Sequence, residues 1–286
     1  MAAKFLEDVF DRIEGAEALD KVAKPVASAV AKITPHGPVK DLLSGTWLGH
    51  PLHPMLTDVA IGSWTSAFIL DLCSGEGAAS AAESLVGVGV VSALPTALSG
   101  LSDWSDMLGP ERRVGLVHAA SNVIGLSFYG LSWLARRRGD RGRGIALGLL
   151  GATAATVGGY IGGHLSYRQG VNVDRHAWEE GPGDWVEVLG EDELDEGQPV
   201  AATAGEREVF LVKHDGAVLA IADVCGHAGG PLHEGELEGD CITCPWHSST
   251  FRVTDGSVVH GPATAPQPVF DVRVEQGRVA VRARGG

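Results

Sequence analysis

Four apolar stretches, near residues 54–72, 79–99, 114–135 and 144–164, each approach the roughly 20 residues that an α-helix needs to cross a bilayer. A chain with four such runs must bury them in lipid or against one another. Their length favours membrane spans over a soluble bundle, although Asp58, Asp71 and Glu83 interrupt them. Acids inside spans usually face a bundle interior or water, so a transport role would have to rest on these three. Gly and Ala crowd several runs, as in GIALGLLGATAATVGGYIGGH, where small residues let helices approach closely. The connections are short, which predicts an antiparallel up-and-down four-helix bundle.

The flanking regions differ in character. Residues 1–47 begin with MAAKFLEDVFDRIEGAEALDK, an amphipathic helix with Phe5, Leu6, Val9, Phe10 and Ile13 on one face. That face is expected to pack on its own protein, a membrane-surface role being the alternative. No secretory signal is expected, because acids run through the segment. Residues 176–286 hold 20 Asp/Glu against 7 Lys/Arg, so nearly all of the net charge of −14 lies there. Such an acidic region excludes nucleic acid as a partner, since phosphates need a basic face. It suits a basic redox partner instead. Four cysteines in 286 residues do not make a disulfide scaffold.

From Asp184 the pattern changes. DWVEVLG, REVFLVKHDGAVLAIAD, STFRVTDGSVV and VFDVRVEQGRVAVRA alternate apolar and polar residues between turn signals such as HDG, TDG and EQG. They predict hairpins of a small antiparallel β domain over 184–286. The domain plan is therefore an N-terminal helical segment (1–47), a four-helix transmembrane domain (48–170), an irregular polar linker (171–183) and the β domain. His176 in the linker is expected to be solvated.

The β region carries Cys225 and His227 as C-x-H, and Cys244 and His247 as C-x-x-H. Thiolates are soft and charged, neutral imidazoles harder. One Cys/His pair from each of two loops suffices to ligate a two-iron, two-sulfide centre, with imidazoles on one iron and thiolates on the other. A structural zinc site would use the same four ligands. The stretch 184–286 resembles the Rieske iron–sulfur domain, with CGHAGGPL, CPWHSSTF and GPATAPQPVFDV in order. The resemblance implies a Rieske-type [2Fe-2S] cofactor with Cys225 and Cys244 on one iron, His227 and His247 on the other, and the 261–268 segment, including Pro262, as its shield.

Departures from the family pattern bear on potential. High-potential Rieske proteins carry an extra cysteine in each loop, joined as a disulfide; here Gly230 and Trp246 stand there. Ser249 is kept, but Phe251 replaces a tyrosine whose hydroxyl would face the cluster. Fewer O–H donors make electron uptake less favourable, so a ferredoxin-like potential low in the Rieske range is expected. Trp246 is expected to cover the centre. Cys241 reads as a small strand residue and not a ligand, and His233 and His260 as surface-loop residues.

In the apolar region, LGHPLHPMLTD places His50 and His53 ahead of the first span, His118 opens the third and His164 closes the fourth. Counting crossings puts all four on one side of the membrane. They are either structural or ligands of a haem b held by two imidazoles, with a non-haem metal near Asp58 as a further version. GTWLGHPLHPMLTDVAIGSWTSAFILDL and GGHLSYRQGVNVD also resemble an uncharacterised bacterial four-span membrane family, members of which occur fused to a Rieske domain.

These features predict an α + β protein in separate domains, a transmembrane four-helix bundle followed by a Rieske domain. The expected role is single-electron transfer between a donor or acceptor protein and the membrane quinone pool or its own membrane domain, as a component and not a self-contained enzyme. A redox sensor or scaffold, or an accessory component of an oxygenase system, are the alternatives. A complete oxygenase would need a separate iron site of two histidines and a carboxylate, usually in a large domain after the cluster. The expected setting is the bacterial cell membrane, multi-pass and in contact with lipid. Five arginines in RRRGDRGRG balance Lys40, Arg112, Arg113, Arg168 and Arg175 on the opposite face, so the positive-inside rule ties. The unsignalled N-terminus then favours a cytoplasmic Rieske domain. Oligomeric state is not encoded in any recognisable pattern.

Overall fold

In the computed structural model, which describes residues 2–73 and 75–285, all α-helices precede all β-strands. The chain divides into two units, Met1–Thr34 with Leu52–Val171, and Pro35–Pro51 with Asn172–Gly286. Residues 35–51 thus group with the β-strands and not with the helices on either side of them in sequence.

The helical unit holds α1 (Ala2–Glu14), α2 (Asp20–Ile33) and four long helices. These are α4 (Leu52–Cys73), α5 (Ala79–Asp106), α6 (Gly109–Arg137) and α7 (Arg141–Tyr167), all long and apolar enough to cross a membrane. They contain the four apolar runs, and α4 packs on α5, α5 on α6, α6 on α7 and α7 on α4. The short helix α3 (Pro38–Ser44) belongs to the other unit.

Helix α1 packs on its own protein, with Phe10 buried against Val114, Ile161 and Leu165. Its burial is confined to the second half, so Phe5, expected on the same face, stays 66% exposed. Arg113 ties the helices together: its guanidinium donates to the Asp20 carboxylate at 2.8 and 3.0 Å and to the Glu14 carbonyl at 2.5 Å.

The four long helices form two matching hairpins. In α4–α5, His53 bonds through Nδ1 to the Thr96 carbonyl at 2.9 Å and its ring lies over Gly100, one turn further on. In α6–α7, His118 bonds through Nδ1 to the Gly158 carbonyl at 2.8 Å and its ring lies over Gly162. Eleven residues after each histidine comes an aromatic ring, Trp64 or Tyr129, seated on Gly89 or Gly151, each eleven residues before the glycine under the histidine. A Cβ on Gly89, Gly100 or Gly151 would collide with the ring above it, and one on Gly162 would press on His118 at 3.0 Å.

Equivalent residues of the two hairpins meet each other. The His53 and His118 rings are 6.3 Å apart, and Trp64 stacks on Tyr129. Seven residues on, Asp71 pairs with Arg136 at 2.5 Å, both side chains nearly inaccessible. Self-contact at equivalent positions marks a pseudo-two-fold axis. Because the three contacts follow one another along the helices, that axis runs along the bundle, as in parallel repeats of membrane proteins. At the last level, opposite charges replace identity.

Among the described residues, the second unit has ten antiparallel strands in three sheets. The first contains β1 (Val186–Gly190), β10 (Arg278–Ala283) and β9 (Phe270–Glu275) in that order. The second contains β2 (Val200–Ala204), β3 (Arg207–His214) and β4 (Ala217–Ala222). The third contains β5 (Glu236–Glu238), β6 (Cys241–Thr243), β7 (Thr250–Arg252) and β8 (Val258–His260). The Asp215–Gly216 and Gln276–Gly277 loops both have positive φ at both residues, the two-residue turn that suits hairpin twist.

Strand β3 explains the layering. Val209 and Leu211 enter one core with Leu189, Phe270 and Val281, while Phe210 and Val212 enter another with Ile242, Phe251, Cys225 and Cys244. A strand buried on both faces loses the apolar–polar alternation expected of its neighbours. The second core is the one that carries the cysteines.

Candidate metal centre

Two loops carry the Cys/His motifs, one after β4 and one between β6 and β7, and they share a backbone design. The Cys225 N–H donates to the Gly230 carbonyl at 2.8 Å, and the Cys244 N–H donates to the Ser249 carbonyl at 2.8 Å. The Cys225 carbonyl accepts from Gly229 at 2.8 Å, and the Cys244 carbonyl accepts from Ser248 at 3.1 Å. The residue that closes each loop is left-handed: Gly229 has φ +87° and Ser248 φ +59°.

These twin loops bring like ligands together. Cys225 and Cys244 are both buried and within hydrogen-bonding reach of one another, while the His227 and His247 rings lie 5.1 Å apart at 86°. The Cys244 thiolate accepts from the Cys225 thiol and from the Trp246 and His247 backbone, which brings its pKa down to about 7. The Cys225 thiol is pushed up, by its Cys244 neighbour first and by burial second. Burial first, then the charges of His247, Lys40 and Arg175, lower the His227 pKa to about 3, so its imidazole is neutral, as a metal ligand must be.

The donor set fits a two-iron cluster. His227 Nδ1 is fully buried without a protein partner, an orphan that a metal bond would satisfy. A Cβ at Gly230 would lie 2.8 Å from the Cys244 sulfur and 3.0 Å from the Trp246 ring, so with Trp246 placed as it is the glycine makes room for both.

The surroundings separate further. Phe251 is fully buried in the core beneath the loops. Ser249 is buried as well, and its Oγ accepts from the Ala263 N–H at 3.0 Å, bracing the 261–268 segment in which Pro262 is buried. Trp246, expected as a cover, stands 54% exposed. The Cys241 thiol donates to the Asp240 carboxylate at 3.3 Å. His233 bonds to Asp223 and His260 to Asp41.

Three supports had no sequence signal. Gln267 accepts from the Gly226 N–H at 2.9 Å and donates to the Ala222 and Val224 carbonyls at 3.0 and 2.8 Å. His176 is not solvated: it is buried, bonding to the Val224 carbonyl at 2.8 Å and to Glu179 at 3.0 Å, because residues 172–177 fold onto the first loop. Asp41 of α3 accepts from the Gly261 N–H at 2.7 Å and from His260 Nδ1 at 2.9 Å, and Thr46 donates to the Ala263 carbonyl at 3.2 Å.

The four histidines expected as a membrane-side set do not converge. His50 is exposed and groups with the β unit. His164 stacks on Phe10 at 3.6 Å and bonds to Glu14 at 3.2 Å, which absorbs it in packing. Asp58 is exposed on α4. His53 and His118 alone of the set approach one another, with Asn122 3.0 Å from His118 Nε2.

Residues 184–271 match the Rieske [2Fe-2S] domain family, and residues 49–175 match the family described as predicted membrane protein DUF2231. Neither description carries a haem. The chain is 30% identical over 98 residues to the anthranilate 1,2-dioxygenase ferredoxin subunit of Burkholderia cepacia, covering 34% of this chain and 91% of that relative. It is 35% identical over 91 residues to apoptosis-inducing factor 3 of Homo sapiens, covering 32% of this chain and only 15% of that protein. The solved ferredoxin of carbazole 1,9a-dioxygenase from Nocardioides aromaticivorans IC177 is 30% identical, with 35% of this chain and 98% of that chain covered and a TM-score of 0.34. Through its β unit the chain therefore belongs to the Rieske [2Fe-2S] family, as an electron-transfer protein that also carries a DUF2231 membrane domain.

Proposed function

We propose that Cys225 and Cys244 hold one iron of a [2Fe-2S] cluster and His227 and His247 the other, and that the protein moves single electrons between a redox partner protein and the membrane. The observation that carries this reading is the paired convergence of two thiols and two imidazoles from twin loops, with His227 Nδ1 buried and unpartnered. Bound there, such a cluster supplies reversible uptake of one electron. The chain's own residues keep the His227 imidazole neutral, exclude water from the cysteines and fix both loops through Gln267, His176 and Ser249.

An acidic β unit fits a partner with a basic docking face. The likeness to a dioxygenase ferredoxin subunit favours, as a second reading, service as the ferredoxin of an oxygenase system. On the membrane side, the quinone pool is the proposed exchange partner. We place the Rieske unit on the cytoplasmic face of a bacterial cell membrane, which protease accessibility in spheroplasts against inverted vesicles would test. His53 and His118 are read as packing groups, since their rings are seated on Gly100 and Gly162 and His118 Nε2 is taken by the Asn122 amide at 3.0 Å.

The test is EPR of the reduced full-length protein in detergent, with a reduced-minus-oxidised optical spectrum of the same sample. A Rieske signal without haem bands is expected. No Rieske signal after reconstitution with iron and sulfide would overturn the ligand assignment, and haem bands would return His53 and His118 to a ligand role.

A further inference from the structure

The segment that leads into the first long apolar helix is inside out. Helix α3 and the 3₁₀ turn after it (Thr46–Leu48) read PVKDLLSGTWL. Lys40 and Ser44, four residues apart on one face of the helix, are fully buried. Asp41 and Thr46 bond inward as well, to the 260–263 segment. The apolar side chains lie on the outside: Val39, Leu42 and Trp47 are 43%, 57% and 61% exposed. A helix on the surface of a water-soluble domain does the reverse, with its apolar stripe on the core and its polar residues in water. Trp47 belongs to the same patch, because its indole N–H donates to the Leu42 carbonyl at 3.3 Å. That bond satisfies one of the carbonyls a helix end leaves open, so donor and acceptor can leave water together.

We propose that Val39, Leu42 and Trp47 form a lipid contact, an interfacial patch by which the Rieske unit rests on the bilayer surface. The proposal depends on α4 crossing the membrane, and chain geometry then carries it. The 22 residues of α4 extend about 33 Å at 1.5 Å each, against about 30 Å of hydrocarbon, so Leu52 falls at the hydrocarbon edge. Trp47 comes five residues earlier, no more than about 18 Å of extended chain away, which keeps the patch within reach of the headgroups. Tryptophan, with its apolar ring and single polar N–H, is enriched at that depth. The connection out of α7 is aromatic too, with Tyr167 and Trp178 both exposed. On the inner side of the α3 stretch, Asp41 accepts from the Gly261 N–H and Thr46 donates to the Ala263 carbonyl. Through Ala263 and Ser249 these bonds continue into the second cluster loop. The lipid contact is thereby linked to the metal centre by side chains that a free-standing 184–271 domain would not contain.

The experiment attaches a nitroxide to Leu42→Cys or to Val39→Cys in the full-length protein, with Cys73→Ser and Cys241→Ser removing the other accessible thiols. The protein is reconstituted in phosphatidylcholine vesicles, and EPR power saturation is read with dioxygen, which concentrates in hydrocarbon, and with a water-soluble nickel chelate on both faces. Labels at Ile61→Cys on α4 and at Glu206→Cys in the exposed β2–β3 turn mark the lipid and water limits. Both α3 labels are expected about 5–10 Å into the boundary between headgroups and acyl chains. Relaxation dominated by nickel at both positions, equal to that of Glu206→Cys, would overturn the proposal and leave the patch to a protein partner. Dipolar broadening at α3 that disappears on dilution with unlabelled protein would overturn it in favour of a second copy of the chain. If Leu42→Cys does not fold, Val39→Cys decides alone. Failure of the membrane reading looks different, because the Ile61→Cys label would then itself lie in water.

Discussion

Trp64 and Tyr129 stack with ring centroids 4.0 Å apart and planes 7° apart, at equivalent places in the two helical hairpins. Each ring needs the glycine beneath it. Gly89→Ala and Gly151→Ala would put a Cβ into the rings, and overpacking of this kind costs about 1–3 kcal/mol. Gly159→Ala meets open space and should be neutral or slightly stabilising. Thermal unfolding in detergent compares them, and equal stability of Gly89→Ala and Gly159→Ala would refute the duplicated packing.

Asp71 and Arg136 face one another one level further along, with side chains 4% and 5% exposed and Arg141 at 3.3 Å as a second partner. Asp71→Asn leaves the Arg136 charge buried and unpaired, which should cost about 3–5 kcal/mol. Replacing both residues with Leu should cost far less than the two single changes together. A double-mutant cycle on unfolding free energy reads that coupling, and additive effects would mean the pair is not one unit.

The approach of Cys225 to Cys244 and of His227 to His247, the four proposed ligands, was legible in the sequence because soft and borderline metal donors sit close together in two loops, where chemistry and spacing point the same way. The duplication of the membrane hairpins was not legible. Only a few positions carry it, such as His53 with His118 and Gly100 with Gly162. Asp41 was invisible for another reason: its partners lie 219 and 220 residues away, and nothing local distinguishes a carboxylate bound to a distant N–H from a solvated one. His176 misled because polarity of the surrounding segment says nothing about which loop it folds against. Strand β3 lost its alternation because it is the layer between two cores.

The twin loops predict an asymmetry in stability. Gly229 and Ser248 occupy the same left-handed position, but only glycine does so without strain. Ser248→Gly should stabilise the loaded protein by up to about 1 kcal/mol, and Gly229→Ser should destabilise it by about 1–2 kcal/mol. Denaturant titration followed by the visible absorption of the cluster measures both. A loss of stability in Ser248→Gly would show that the serine side chain contributes more than its backbone strain removes.

Acid should loosen the N-terminal helices through one group. The Arg113 guanidinium holds the Asp20 carboxylate at a pKa of about 2, below its ordinary 3.8. A depressed carboxylate stabilises the folded state above its unfolded pKa and loses that contribution as pH falls through the folded value. The contact of Asp20 with Arg113 should therefore weaken between pH 3.8 and about 2. Asp20→Asn should remove that part of the pH dependence while leaving the rest. Hydrogen exchange of α1 and α2 across this range is the measurement, and identical profiles for wild type and Asp20→Asn would exclude the ion pair as the cause.

Cys241 lies three residues from Cys244 and is the one other cysteine near the centre, so it separates ligand from bystander. Its thiol donates to the Asp240 carboxylate at 3.3 Å, outside the pairing of Cys225 with Cys244. Cys241→Ser preserves a donor to Asp240 and should keep the iron content and the EPR signal of wild type. His247→Cys exchanges a neutral imidazole for an anionic thiolate, which should replace the Rieske spectrum with that of a more thiolate-rich centre or abolish loading. Iron lost from Cys241→Ser, with His247→Cys unchanged, would move the ligand set from the twin loops to the strand beside them.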